Sequence, residues 1–256
     1  LAEREGELAG RIVLITGSSR GIGASCAEIM AREGADVVIN YLHSELAAEA
    51  VADKVRALGQ RSLVIGADVR DQQQVLDMVA QVEQAWGRVD ILVNNAGRHP
   101  TDVRTIEEMT LERWSATQNM NLTSHFLCFR AVILGMMERG WGRVINVSSF
   151  VAQRGTLSGN PFYVMSKAGL HGLTLATFRK VARSGVTVNT VCPGTIDTEM
   201  THELLSPDQV QARAVDAPIG RLGLPEEVAE VIAFLASPRA SLVTGQLIAV
   251  NGGQYV

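Results

Sequence analysis

The sequence predicts an α/β fold, a doubly wound sheet of about seven parallel strands with helices on both faces. Three observations carry that expectation. Short Val/Ile-rich runs alternate with longer stretches whose apolar residues recur at helical spacing. The short runs are continuously apolar, as strands of a parallel sheet buried on both faces must be. The 24 glycines fall mostly at the turns between runs, so they punctuate strands and helices.

The elements follow in order along the chain. Residues 11–16 (RIVLIT) read as a first strand and 22–33 as a first helix. Residues 35–40 (ADVVIN) are a second strand, followed by a helix over 45–58. The third strand is 62–66, and the helix 72–86 sets Val75, Met78, Val79 and Val82 on one face. Strands at 91–94 (ILVN) and 144–147 (VINV) follow, with long helices over 111–137 and 160–183. A sixth strand, 186–191 (VTVNTV), and a helix at 225–235 precede the last strand, 247–250. No interdomain linker or internal repeat interrupts this alternation. Residues 1–256 therefore read as one Rossmann-type domain, with 1–10 as an N-terminal extension. Ligands of such a sheet are expected at the carboxyl ends of its strands.

Composition narrows the function classes. A chain of 256 residues, 46% hydrophobic, can bury a large core. Its net charge is −4 and no basic stretch is long enough to track phosphates, which argues against a nucleic-acid partner. Cys26, Cys128 and Cys192 are odd in number and lack a C-x-x-C, as expected of buried thiols in a reducing compartment. The five histidines show no metal-ligand spacing, so no metal site is expected. Residues 1–10 are charged and lack the apolar core of a signal peptide. No run reaches the ~18 uninterrupted apolar residues of a membrane span. The expectation is a soluble cytoplasmic protein, not bound to membranes.

Polar and glycine-rich clusters sit where the strands end. The first strand runs into Thr16-Gly17-Ser18-Ser19-Arg20-Gly21-Ile22-Gly23 and then a helix. Glycines there permit a tight turn and let a pyrophosphate approach the helix N-terminus, whose free amides favour anions. The spacing is G-x-x-x-G-x-G, not the common G-x-G-x-x-G. After the second strand come Asn40-Tyr41-Leu42-His43-Ser44, with no carboxylate before Glu45. A carboxylate there would bind the ribose 2′-hydroxyl of NAD and repel a 2′-phosphate. Its absence, together with Arg20 in the glycine turn, favours NADP(H). Asn94-Asn95-Ala96-Gly97, Ser148-Ser149 and Pro193-Gly194 close the fourth, fifth and sixth strands. Each alone is an ordinary turn or cap; together they converge on one crevice.

Tyr163 and Lys167 stand four residues apart in a helix opened by Asn160 as N-cap and Pro161 as first residue. They share a face, so an ammonium stands beside a phenol. A phenol with a pKa of about 10 is a poor base, and a neighbouring cation favours its phenolate. Taken alone, the pair reads better as a half-exposed tyrosine over a surface lysine. The surrounding motifs reverse that reading.

With these motifs in hand, the chain resembles a short-chain dehydrogenase/reductase of the single-domain branch over essentially its whole length. The residues carrying the resemblance are Thr16–Gly23, Asp68-Val69, Asn94–Gly97, Asn121, Ser149, Tyr163 with Lys167, and Pro193-Gly194-Thr195-Ile196-Asp197-Thr198-Glu199-Met200. The resemblance implies a tetrad. Tyr163 is its acid/base, and Lys167 tunes the phenol and binds the nicotinamide ribose. Ser149 polarises the carbonyl, and Asn121 holds a water of a proton relay. It also implies cofactor contacts from Gly17, Ser19, Arg20, Gly21, Ile22, Gly23, Asn40, Tyr41, Asp68, Val69, Asn95, Ala96 and Gly97. Tyr163, Lys167, Pro193, Gly194, Thr195, Ile196 and Thr198 complete that set, with Asp68 facing the adenine and Thr195 and Ile196 the nicotinamide amide.

Within the family the chain is most similar to the 3-oxoacyl-(acyl carrier protein) reductase type, through residues 220–227 and 243–253. Two departures border the expected cleft: a longer loop at Phe150-Val151-Ala152-Gln153-Arg154, and Arg98-His99-Pro100 after the Asn-Asn-Ala-Gly motif. His99 is expected to face solvent. The implied function is an NADPH-dependent carbonyl reductase or, in reverse, a secondary-alcohol dehydrogenase. An NAD-linked sugar or alcohol dehydrogenase is the alternative within the family, and a non-catalytic NADP(H)-binding sensor or scaffold the alternative outside it. Substrate choice is expected to lie with loops at 98–105, 150–162 and 198–218, the lid spanning about 195–218. The helices over 111–137 and 160–183 are apolar over most of their circumference. By the resemblance they pair across a two-fold axis, with 247–256 at a second interface, implying a homotetramer.

Overall fold

The computed structural model describes residues 6–100, 105, 107–156 and 160–256. Expected features at residues 1–5, 101–104, 106 and 157–159 lie outside the described residues, including parts of the N-terminal extension and of two substrate loops. The first half of the chain runs β1 (Ile12–Ile15), α1 (Gly21–Arg32), β2 (Asp36–Tyr41), α2 (Glu45–Ala57), β3 (Ser62–Gly66), α3 (Gln72–Trp86) and β4 (Ile91–Asn94). The second half runs α4 (Leu111–Gln118), α5 (Ser124–Glu138), β5 (Gly142–Val147), α6 (Val151–Arg154), α7 (Pro161–Val181), β6 (Val186–Pro193), α8 (Glu199–Leu204), α9 (Pro207–Asp216), α10 (Pro225–Ala236) and β7 (Leu247–Val250).

All strand pairings are parallel, in the order β3-β2-β1-β4-β5-β6-β7. The chain steps outward from β1 to β3, then crosses back to place β4 on the other side of β1. That reversal leaves a crevice beyond the carboxyl ends of β1 and β4, where the glycine turn and the Asn-Asn-Ala-Gly motif emerge. β1, β4 and β5 are buried along their whole length, which explains their unbroken Val/Ile runs.

Helices cover both faces. On one, Ile29 and Met30 of α1, Val51 and Val55 of α2 and Ile232 and Leu235 of α10 form a cluster with the sheet. On the other, Met78 and Val82 of α3 meet Phe129, Val132 and Met136 of α5. Each such side chain, fully buried, contributes about 1.5–3 kcal/mol. The apolar stripes read from the sequence are therefore what hold the helices in place. The three cysteines are buried and unpaired.

The helix expected over 111–137 departs from its plan. Between α4 and α5, residues Asn119–Thr123 form a π turn. No proline or glycine announces it. The Asn121 amide donates to the carbonyl of Thr117 and to that of Arg98, outside the helix, so a side chain competes with the helical ladder. By length and composition the stretch Leu111–Glu138 could cross a bilayer. In the fold its Leu127, Cys128, Val132 and Met136 are buried, while Phe126 and Leu134 stay exposed. Among the described residues, α6, α8 and α9 lie where the sequence pattern predicts no helix. The cap of α9 was legible: Ser206 accepts from Gln209 N–H while the Gln209 side chain accepts from Ser206 N–H.

Candidate active site

The glycine turn is held from both sides. Gly17 has φ +61, and a Cβ there would lie 2.9 Å from Ala96 Cα, so only glycine fits. The Asn95 amide donates to the carbonyls of Thr16 and Gly17, and Thr16 Oγ1 accepts from the backbone of Asn95 and Ala96. α1 then starts at Gly21 with no side-chain cap and no acidic residue in its first turn. Its free amides, fed by Ser19, Arg20, Gly21, Ile22 and Gly23, suit a pyrophosphate.

Asn40 corrects the sequence reading. Its side chain was expected at the ribose phosphate, but it is turned inward and 2% exposed. Asn40 Oδ1 accepts from Gly17 N–H at 3.1 Å, and Nδ2 donates to the carbonyls of Ala67, Ile65 and Tyr41. It builds the glycine turn from beneath. Tyr41 packs its hydroxyl end over Gly66. Arg20, half-exposed, is paired with Glu203 of α8 at 2.5 Å. After β3, the Asp68 carboxylate is gripped by Arg70, which holds its pKa below the usual range, and Val69 is buried in the core.

Tyr163, Lys167, Ser149 and Asn121 come from α7, the β5 carboxyl end and the π turn, and the structure gathers them beside Gly97. Asn160 caps α7 as expected, accepting from Phe162 and Tyr163 N–H. Lys167 is 3% exposed, and its Nζ donates to the Val147 carbonyl at 2.8 Å. Burial pulls its pKa down to about 8. The ammonium lies 5.7 Å from the Tyr163 ring centroid. A Cβ on Gly97 would sit 2.9 Å from Asn121 Oδ1 and 3.3 Å from Lys167 Nζ, so any side chain there would press on both groups. Asn121 uses both ends of its amide on the backbone of Arg98, accepting from its N–H and donating to its carbonyl, each at 2.9 Å.

The phenol behaves differently from the expectation. Its pKa is not depressed. Burial pushes it up to about 12, and hydrogen bonding with Ser149 pulls only partly the other way. Lys167, directed at Val147, does not offset that desolvation. The group therefore holds its proton at neutral pH. In the isolated protein, absorbance titration at 295 nm should show no Tyr163 phenolate below pH ~11, taken as parent minus Tyr163→Phe. A difference step centred near pH 8 would contradict this.

His99 also departs from its expected place. It does not face solvent freely: its ring lies 4.5 Å from that of Tyr163, centroid to centroid. Deeper polar links escaped sequence reasoning altogether. Asn94 donates to Asn146, Asn146 to Thr174, and Thr174 meets Thr190 at 2.7 Å. Asn94 and Asn146 stand at one register of β4 and β5, which only the sheet pairing reveals.

The remaining expected residues end β6 or follow it. Pro193 ends β6. Gly194 packs against Asn251, and Thr195 N–H donates to Gln254. Ile196 pairs with Gly223, and Thr198 caps α8 while its methyl faces Gly21. An open groove of about 900 Å³ runs between Ser19, Arg20 and Gly21 and the α8 residues Glu199 and Glu203. It flanks the glycine turn without reaching Tyr163, so the reacting centre lies elsewhere.

Comparison with known proteins bears on this arrangement. Residues 17–254 match the family model described as enoyl-(acyl carrier protein) reductase. The chain is 43% identical to the 3-oxoacyl-(acyl-carrier-protein) reductase of Vibrio cholerae, over 97% of this chain and 99% of that one. It is 41% identical to the protein of the same name from Vibrio harveyi, with the same coverage. The Staphylococcus epidermidis counterpart is 40% identical over 95% of this chain and 98% of that one. The chain belongs to the short-chain dehydrogenase/reductase family. The family's 3-oxoacyl reductase type, expected from residues 220–227 and 243–253, is the type these relatives represent.

Proposed function

We propose that the protein is an NADPH-dependent carbonyl reductase acting on 3-oxoacyl thioesters and related ketones. The observation carrying this reading is the convergence of Ser149, Tyr163 and Lys167, with the phenol kept protonated at neutral pH. Tyr163 donates that proton to the substrate oxygen as the carbonyl becomes an alcohol. Ser149 hydrogen-bonds the same oxygen and stabilises its developing charge. Lys167 places a cation near the phenol and supports its reprotonation. Asn121 supports this centre by fixing the Arg98 backbone with its side chain, and in the relay it holds a water. The bound nicotinamide supplies the hydride.

The glycine turn and uncapped α1 fit a dinucleotide pyrophosphate, and Arg20 fits a 2′-phosphate. Its pair with Glu203 is exposed, and such pairs are worth about 1 kcal/mol or less, so a phosphate can displace it. Asn40 supports this site through Gly17, and Asp68 stands at the β3 end for the adenine. Residues 195–218 act as the lid over substrate. The family model's enoyl description names a different bond to reduce, but the relatives matched end to end carry the 3-oxoacyl name.

One assay tests both halves of the reading. NADPH oxidation is followed with 3-oxoacyl thioesters, simple ketones and quinones, in the parent and in Arg20→Ala. Thioester-dependent oxidation is expected in the parent. Arg20→Ala should weaken NADPH binding by about tenfold to a hundredfold and leave NADH binding little changed. Equal losses for both cofactors would favour the NAD-linked alternative. A parent inert towards the whole panel, yet binding NADPH, would favour a sensor or scaffold.

The protein acts in the cytoplasm as a homotetramer, supported by its buried free thiols and by apolar side chains left outside. Phe126 and Leu134 on α5 and Met165 and Leu175 on α7 are exposed, as is Leu242 before β7. An obligate interface over these faces should persist at micromolar dilution. Light scattering should return four times the single-chain 27.5 kDa. A mass near 27.5 kDa at assay concentration would overturn the proposal.

A further inference from the structure

Beside Tyr163 stands a ring that the mechanism above leaves unused. His99 is held there from both directions along the chain. Asn121 grips the Arg98 backbone on one side with two hydrogen bonds, and Pro100 restricts the backbone of His99 on the other. The imidazole tilts by 47° over the phenol ring and is partly buried. Its Nδ1 is buried and has no hydrogen-bond partner among the described residues.

Burial lowers the His99 pKa and outweighs the carbonyls of Pro100 and His99, which favour the cation. The ring is therefore neutral at pH 7, with one N–H and one lone pair to offer. A lowered pKa makes it a poor store of a proton, so it does not duplicate Tyr163. Packing alone does not account for it either. A phenyl ring would fill the same place without leaving a polar atom unpaired, and an unpaired buried nitrogen is costly. Nδ1 has no accessible surface, so a contact with substrate falls to Nε2, at the other edge of the ring. The reacting oxygen is already taken by Tyr163 and Ser149, so the imidazole meets an atom a short way along the molecule.

We propose that His99 is a specificity residue that donates a ring N–H hydrogen bond to the second carbonyl oxygen of a 1,3-dicarbonyl substrate. The site thereby selects 3-oxo esters and thioesters over simple ketones. This rests on the carbonyl-reductase reading above and adds the recognition element to it.

The test compares ethyl acetoacetate with 2-hexanone, reduced by the parent, His99→Phe and His99→Gln. The Phe variant keeps a ring against Tyr163 and removes the donor; the Gln variant restores an N–H on a different frame. His99→Phe should raise KM for ethyl acetoacetate about tenfold, with a clearly smaller change for 2-hexanone, and His99→Gln should recover most of the loss. NADPH binding and circular dichroism matching the parent in both variants show that they are folded. Equal losses on the two substrates, or no recovery in His99→Gln, would overturn the proposal. So would an unaffected His99→Phe in a parent that reduces ethyl acetoacetate, a result that leaves the reductase reading standing. A parent that reduces 2-hexanone but not ethyl acetoacetate would overturn this proposal and the 3-oxoacyl reading together.

Discussion

Replacing Tyr163 with Phe is expected to lower kcat by ~100-fold or more while NADPH binding stays near that of the parent. The ring is retained, so its contact with His99 and its place on α7 survive; only the transferable proton is lost. The Ser149 hydroxyl keeps its place after β5, where it also accepts from Val151 N–H. Cofactor affinity, read by fluorescence titration, separates this outcome from a folding defect. A variant turning over at the parental rate would remove Tyr163 from the chemistry. The sensor reading would gain if neither form turned over any substrate.

The second large effect falls on Asn40→Asp, and it is an effect on stability. Two carbonyls, of Ala67 and Ile65, accept from the Asn40 amide in a buried setting. Aspartate keeps the acceptor facing Gly17 N–H but turns a second oxygen towards those carbonyls. Losing the donors and burying an unpaired charge is expected to cost about 3–5 kcal/mol. Part of that cost is escaped by protonation, so the folded-state pKa of the new carboxyl lies above its unfolded value. The folded form then binds more protons, and its stability falls as pH rises through the folded pKa. Urea unfolding should show the variant further below the parent at pH 8 than at pH 5. A variant as stable as the parent at pH 8 would contradict the inward placement. Because Gly17 moves with Asn40, affinity for NADPH and NADH should fall together, which leaves Arg20 as the substitution that discriminates between them.

Phe126 and Leu175 are exposed on helices whose other faces fill the core. Arg20 ties the glycine turn to α8 through Glu203.

Local pattern determined a great deal of this protein. The strands are continuous Val/Ile runs because both faces are buried, and burial is a property that composition records. Asn160 and Pro161 announced the start of α7, and the i, i+4 spacing placed Tyr163 and Lys167 on one face. The glycine turn and the Asn-Asn-Ala-Gly motif were legible because they stand directly after strands. Other features depend on neighbours distant in sequence. The π turn arises because Asn121 reaches Arg98, 23 residues away, and no local propensity reports that. Asn40 points inward because β3 and the glycine turn surround it on both sides. Lys167 turns to Val147 and leaves the phenol to its desolvation, so a spacing that reads as activation becomes a protonated acid. His99 looked like an exposed loop residue until Asn121 and Pro100 brought it onto Tyr163. The chain encodes which groups are available along each element, whereas their hydration and partners, which set pKa and hydrogen bonding, exist only once the strand ends are brought together.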